Sequence, residues 1–165
     1  MDVSARRTRD LWLRRPTAHD LAALVEVEAD PRTNTHSPTG PPSPEQVEQR
    51  LQEVLEIWGR LGIGYWAVEQ EGVVIGIGGL RPAVLHGRDC WNLYYRLRPE
   101  AWGRGFATQL AREAVAVAQD RDRALPVVAR TRPTNTRAQR VASAAGLARR
   151  ADLDSDGMVT LATGW

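Results

Sequence analysis

The stretch Tyr95-Arg96-Leu97-Arg98-Pro99-Glu100-Ala101-Trp102-Gly103-Arg104-Gly105-Phe106-Ala107-Thr108 commits the middle of this chain to a strand end, a proline, a glycine-rich turn and the start of a helix. Gly103 and Gly105 let the backbone bend tightly and approach a ligand, and the helix that follows opens with amides that have no partner in the chain. Such a turn is an anion cradle. A pyrophosphate gains hydrogen bonds from those amides, and the positive end of the helix dipole adds roughly 0.3–1 kcal/mol per charge at an exposed site. Arg104, inside the turn, adds to the same potential.

The rest of the chain arranges itself around this unit. Residues 1–9 read as a loosely held arm, and Leu11 to Arg14 alternates as a strand. Thr17-Ala18-His19-Asp20 is a capping box before a helix carrying Leu21, Leu24, Val25 and Glu28. Asp30 to Pro44 holds five prolines and is a loop; a second helix starts after Ser43, with Pro44 at its first position. Ile63 to Glu69 and Val73 to Leu80 form a hairpin across Gln70-Glu71-Gly72, in which Gly76, Gly78 and Gly79 require another backbone or a ligand close by. A third strand puts Trp91, Leu93, Tyr95 and Leu97 on one face and Asn92, Tyr94 and Arg96 on the other.

Beyond the cradle helix, Pro126 to Ala129 is a short buried strand, and strand-helix-strand order predicts a right-handed parallel crossover. Pro133 to Gly146 reads as a capped helix, and strands near Leu147 to Leu153 and Met158 to Ala162 pair across Asp154-Ser155-Asp156-Gly157. The fold class is α/β (α+β): a mixed, mostly antiparallel sheet flanked by helices, in a single domain spanning 1–165.

Charge divides along the chain. All 22 basic residues are arginine. Asp20 to Glu71 carries ten acids against three arginines, net minus seven, while Arg96 to Arg150 carries twelve arginines against four acids, net plus eight. One side suits a polyanion and the other a cationic ligand. No apolar run is long enough to span a membrane and the N-terminus lacks a signal-peptide pattern, so a cytoplasmic protein is expected. One cysteine and three scattered histidines give no metal-ligand spacing, and Cys90 reads as a small buried hydrophobe.

The cradle is neither a Walker loop, since no Gly-Lys-Ser/Thr follows, nor a Rossmann fingerprint, since it falls in mid-chain with no acidic residue closing a following strand. Arginines lying on a phosphate cradle without interleaved aromatics also argue against a nucleic-acid surface. With Leu11 to Arg14 and Asp20, Tyr95 to Thr108, and Pro133-Thr134-Asn135 followed by Arg140-Val141 and Gly146-Leu147, the sequence resembles the GNAT superfamily of acyl-CoA-dependent N-acyltransferases. It is similar to the branch that includes ribosomal-protein alanine N-acetyltransferases.

That resemblance implies acetyl-CoA as donor, with its pyrophosphate on amides from Gly103, Arg104, Gly105, Phe106, Ala107 and Thr108, and its pantetheine along the strand ending at Leu97. Asn135 would bond the cofactor arm, and Arg98, Arg104, Arg137 and Arg140 are candidates for phosphate contacts. Trp102 stands where the family more often has Gln or Arg. Direct attack of an amine on a thioester needs a base, an oxyanion donor and an acid. The resemblance gives the donor as the amide near Leu97 and puts Asn92 where relatives often carry glutamate, leaving Asn92 to orient the amine. Glu28, Glu69 or Asp89 could take the proton through water; Tyr94, Tyr95 or Ser143 could protonate sulfur. Ala138 and Ala142 replace acids found in some relatives, which keeps open a non-catalytic acyl-CoA binder. The acceptor site falls on the acidic half, so a cationic amine is expected: a peptide or protein N-terminus, a polyamine or an aminated antibiotic. Monomer and homodimer both remain open.

Overall fold

The computed structural model describes residues 1–165. Its centre is one eight-stranded sheet in the order β1-β2-β3-β4-β5-β6-β8-β7. The strands are β1 (Ala5–Arg7), β2 (Trp12–Arg14), β3 (Tyr65–Gln70), β4 (Val73–Leu85), β5 (Arg88–Leu97), β6 (Val127–Thr131), β7 (Ala148–Arg149) and β8 (Val159–Ala162). Every neighbouring pair is antiparallel except β5 and β6, which are parallel and joined through a helix, as the strand-helix-strand order predicts. The helices are α1 (Leu21–Glu28), α2 (Pro44–Leu61), α3 (Phe106–Arg121) and α4 (Thr136–Ala144).

Local chemistry sets the helix starts. Thr17 and Asp20 close their capping box in a short 3₁₀ turn leading into α1, and Ser43 with Gln46 closes a second one at α2, where Pro44 occupies the first position. Asp20, 5% exposed, also receives both terminal nitrogens of Arg14 at 2.7 and 2.8 Å, while Arg14 Nε donates to Glu69 at 2.6 Å. Burial works to raise the Asp20 carboxyl, but the Arg14 fork and the Thr17 amide outweigh it and hold it below its ordinary value. This cluster ties β2, β3 and α1 together.

The first nine residues are not a loose arm. Ala5–Arg7 adds a strand to the sheet edge, Val3 is 3% exposed, and the Val3 carbonyl accepts from Trp66 Nε1 at 2.8 Å. Arg6 donates to Glu113 and Thr8 to Gln109 as well, so the anchor is a set of partners far along the chain, which does not show as periodicity. β4 also runs five residues past the expected end at Leu80. Arg81-Pro82 looks like a strand terminator, yet Pro82 sits opposite Trp91 at a non-hydrogen-bonded position of the ladder, where no amide is needed. Near the C-terminus only Ala148–Arg149 is strand; Ala151–Leu153 turns into a 3₁₀ helix before β8.

The glycines of β4 answer to packing. A Cβ at Gly76 would lie 2.2 Å from the Arg96 carbonyl oxygen, and one at Gly78 would lie 2.7 Å from both the Tyr94 carbonyl oxygen and the α3 side chain of Leu110. Only glycine lets β4 approach β5 and α3 this closely. Leu110 marks the sheet face that α3 covers, the face of Leu93, Tyr95 and Leu97; α1 and α2 cover the face of Asn92, Tyr94 and Arg96.

Candidate active site

The cradle has the geometry its sequence requires. Gly103 and Gly105 adopt φ of +73° and +78°, in the left-handed region, and nothing lies within 4 Å of a Cβ built on either. Glycine is needed here for its dihedral, not for room. Gly105 caps α3 without any side-chain bond, and the first helical bond runs from the Gln109 amide to the Gly105 carbonyl at 3.1 Å. The amides of Phe106, Ala107 and Thr108 are therefore free of helix partners. Arg104 stands at the turn with its guanidinium 4.6 Å from the Phe106 ring centre.

Alternation along β5 decides where its backbone groups point. The Arg98 amide donates to Ile75 on the β4 side at 2.8 Å, whereas the Trp91 amide donates to Pro126 on the β6 side at 2.8 Å. Even-numbered residues thus bond toward β4 and odd-numbered ones toward β6. Pairing with β6 stops at Asn92 and Val128, although β5 continues to Leu97 and β6 to Thr131. The two strands fork, and the amides and carbonyls of Tyr95 and Leu97 face the opening.

Trp102 bridges the parts. Its Nε1 donates to the Leu97 carbonyl at 2.9 Å, and the Arg137 guanidinium lies 4.6 Å from its ring centre. One indole thus ties the end of β5 to the turn and to the start of α4, a role that a glycine-turn reading misses. Asn135 caps α4 by accepting from the Ala138 amide at 3.1 Å, which occupies its oxygen and leaves its amide nitrogen as the group available for a ligand. Arg140 is exposed on the same helix.

Two candidates stand apart from this group. Arg98 turns away from the cradle, donating to the Val74 carbonyl at 3.0 Å with Glu26 at 3.9 Å, so it serves the β4 edge and α1 rather than the turn. Ser143 is exposed near the end of α4, whose inward positions are Ala142 and Ala145. Tyr95 is different: its hydroxyl oxygen is buried without a hydrogen-bond partner, and burial raises it well above its ordinary value, with Arg137 pulling weakly the other way. Its hydroxyl is held in the protonated form. Cys90 is 3% exposed and burial raises its thiol as well, so it packs as an inert hydrophobe.

Behind the fork, on the opposite sheet face, α1, α2 and the sheet enclose a cavity of about 370 Å³. Its walls include Leu24, Val47, Leu51, Val54, Ile57 and Ile77, and its polar lining is Glu28, Arg50, Glu53, Arg81, Asn92 and Arg96 together with Tyr65 and Tyr94. The tyrosines stack with centroids 5.1 Å apart across Gly79, which has no side chain to come between them. Burial raises both hydroxyls; Arg81 and Asn92 oppose it at Tyr65, and at Tyr94 Glu28 adds to it while Arg96 opposes. Of the three carboxylates considered as a proton acceptor, only Glu28 lines this cavity. Glu69 is bound to Arg14, and Asp89 is exposed on the β4–β5 hairpin. Arg96 is held by donation to Asn34 Oδ1 at 3.0 Å, a contact from the proline-rich loop that sequence spacing does not reveal.

Comparison with known proteins agrees with this fold. The structure is similar to an acetyltransferase from Agrobacterium tumefaciens, at 23% identity and TM-score 0.84, covering 99% of this chain and 95% of that one. It is similar to a ribosomal-protein-alanine N-acetyltransferase from Brucella melitensis, at 21% identity and TM-score 0.71 over 92% and 98% of the two chains. RimL, a ribosomal L7/L12 alpha-N-protein acetyltransferase in complex with coenzyme A, matches at 16% identity and TM-score 0.73 over 94% of each chain. The acetyltransferase (GNAT) domain family matches residues 10–148. With that match spanning most of the sequence, the chain belongs to the GNAT acetyltransferase family.

Proposed function

We propose that residues 1–165 form one N-acetyltransferase domain that moves an acetyl group from acetyl-CoA to a primary amine by direct attack. The observation that carries this reading is the presence of two backbone surfaces with open amides, the first turn of α3 and the forked edge of β5, on either side of the turn that Trp102 ties to Leu97. They fit the two ends of one ligand. Phosphates suit the amides of Phe106, Ala107 and Thr108 with Arg104, Arg137 and Arg140 around them, and an extended amide-bearing arm suits the edge at Tyr95 and Leu97.

Acetyl-CoA, when bound, supplies an activated acyl carbon and a thiolate leaving group. The chain's own groups do the remainder. The Leu97 amide donates to oxygen that gains negative charge, and the Asn135 amide nitrogen and Trp102 fix the arm's path. On the other face, Asn92 orients the amine at the point where the strands part. Glu28 takes the ammonium proton, directly or through water, and Tyr95, kept protonated by its burial, returns a proton to sulfur. The acceptor's reacting end is therefore cationic before it is used.

Calorimetric titration with acetyl-CoA, CoA and ATP tests the reading, followed by thiol release on a panel of amines. Both CoA forms are expected to bind and ATP to bind more weakly. A folded protein that binds neither CoA form would overturn the assignment.

A further inference from the structure

The cavity behind the fork is not uniformly acidic, although it lies in the acidic half of the sequence. It is lined by three arginines against two glutamates. Five of the ten carboxylates of that half are already engaged: Asp20 and Glu69 with Arg14, Asp30 with Arg32, Glu28 with Arg50 at 3.4 Å and Glu26 with Arg98 at 3.9 Å. Arg96 is held by a neutral amide, that of Asn34, and has no carboxylate within ion-pair distance. Arg81 is exposed and makes no hydrogen bond or ion pair.

We propose that the acceptor is a small zwitterion, an apolar or aromatic free amino acid, whose ammonium lies toward Glu28 and Asn92 and whose carboxylate is bound by Arg81 and Arg96. This rests on the acetyltransferase reading and names the substrate class for it. The positions suit adjacent groups of opposite charge. Arg81 and Asn92 are cross-strand partners, so their side chains emerge from the same face, side by side, at the fork. The stacked Tyr65 and Tyr94 rings and the aliphatic walls accept an apolar body, and about 370 Å³ falls within the range of small-molecule sites. A polyamine brings only positive charge and leaves Arg81 and Arg96 unanswered. A peptide N-terminus has a neutral carbonyl where these guanidiniums need an anion.

In the reaction the ammonium gives one proton to Glu28 and the resulting amine nitrogen bonds the acetyl carbon as the carbon–sulfur bond breaks; the nitrogen then loses a second proton, which restores Tyr95 after its hydroxyl has protonated the thiolate, so the net products are the amide, the thiol and one proton passed from Glu28 to solvent. The product has lost the positive charge that Glu28 attracts. It keeps the carboxylate, now a net anion beside a buried glutamate, which favours release.

The test compares L-phenylalanine and L-leucine with L-phenylalaninamide, a short peptide and spermidine in a thiol-release assay, alongside calorimetric binding of L-phenylalanine. The free amino acids are expected to exceed the amide in kcat/KM by about 10- to 100-fold, the size of a charged hydrogen-bonded contact. Arg81→Gln should bring that ratio close to one, and Arg81→Lys should restore part of it. Acetylation of spermidine, the peptide or the amide at least as well as the amino acids overturns the zwitterion proposal and leaves the acetyltransferase reading intact. If no amine is turned over, the acetyltransferase reading falls and the assignment of an acceptor falls with it; binding then decides whether the cavity is a site for a free amino acid, which L-phenylalanine binding abolished by Arg81→Gln upholds and absence of binding overturns.

Discussion

Gly105→Ala isolates the conformational demand of the cradle. Nothing lies within 4 Å of the added Cβ and φ is +78°, so the substitution meets no steric obstacle and pays only for the left-handed dihedral. That strain is about 1–2 kcal/mol for an L side chain. If the bound turn must keep this dihedral, the full strain appears in the CoA-bound protein, and the ligand-free protein divides it. A turn that stays put shows the strain as lost stability, with unchanged affinity. A turn that relaxes shows little loss of stability and an affinity lower by about 5- to 30-fold. The sum of the two losses is fixed at about 1–2 kcal/mol. Gly62→Ala is the control, since Gly62 has φ of +64° at the end of α2 and equally open surroundings. It should lower stability by the same amount without touching CoA. Urea unfolding with and without CoA, plus calorimetry, measures both. A Gly105→Ala protein unaltered in stability and affinity refutes the argument, as does a Gly62→Ala protein that binds CoA more weakly.

Gly78→Ala carries ordinary dihedrals but drives a methyl to 2.7 Å from the Tyr94 carbonyl oxygen, so unfolding should show a loss of about 1–3 kcal/mol or more. Tyr95→Phe removes a hydroxyl that has no partner, so stability should hold or rise while turnover falls by about 100-fold. An unchanged kcat would assign the proton on sulfur to another donor. Asp20→Asn should cost about 1.5–3 kcal/mol in urea at neutral pH, because the Arg14 fork loses a charged acceptor. Since the folded Asp20 carboxyl lies below its ordinary value, its stabilisation is complete above the unfolded value and disappears as pH falls through the folded one. The deficit of the variant should therefore shrink below about pH 4, near the unfolded carboxyl value.

Much of this architecture is legible without coordinates because the signals are local. Thr17 with Asp20, Ser43 with Pro44 and Gln46, and the glycine turn each contain their own cause within a few residues, and the structure realises all three. The failures involve causes far apart in sequence. Val3 is anchored by Trp66, Arg98 is drawn away by Val74 and Glu26, and Arg96 is fixed by Asn34. Charge counting is incomplete for the same reason: a segment's net value does not say which carboxylates are already paired. Gly76, Gly78 and Gly79 are the long-range cues that the sequence does carry, since glycines inside a strand ask for a close neighbour, and the backbone of β5 is that neighbour at Gly76 and Gly78.

The two sides of the site are linked by the period of a single strand. Side chains of Asn92, Tyr94 and Arg96 enter the cavity under α1 and α2, while the backbone groups of Tyr95 and Leu97 face the fork. A slip of one residue in β5 would exchange both sets at once, placing Leu93 and Tyr95 in the cavity and turning the Leu97 amide toward β4. The register must therefore be held from outside the site. Gly76 and Gly78 do this, because their missing side chains leave the space that the backbone of Arg96, Tyr94 and Tyr95 fills, and shifting the strand by one residue would set Ile75 and Ile77 against that space. Gly76 and Gly78 line no part of the cavity, yet they determine which face of β5 it meets.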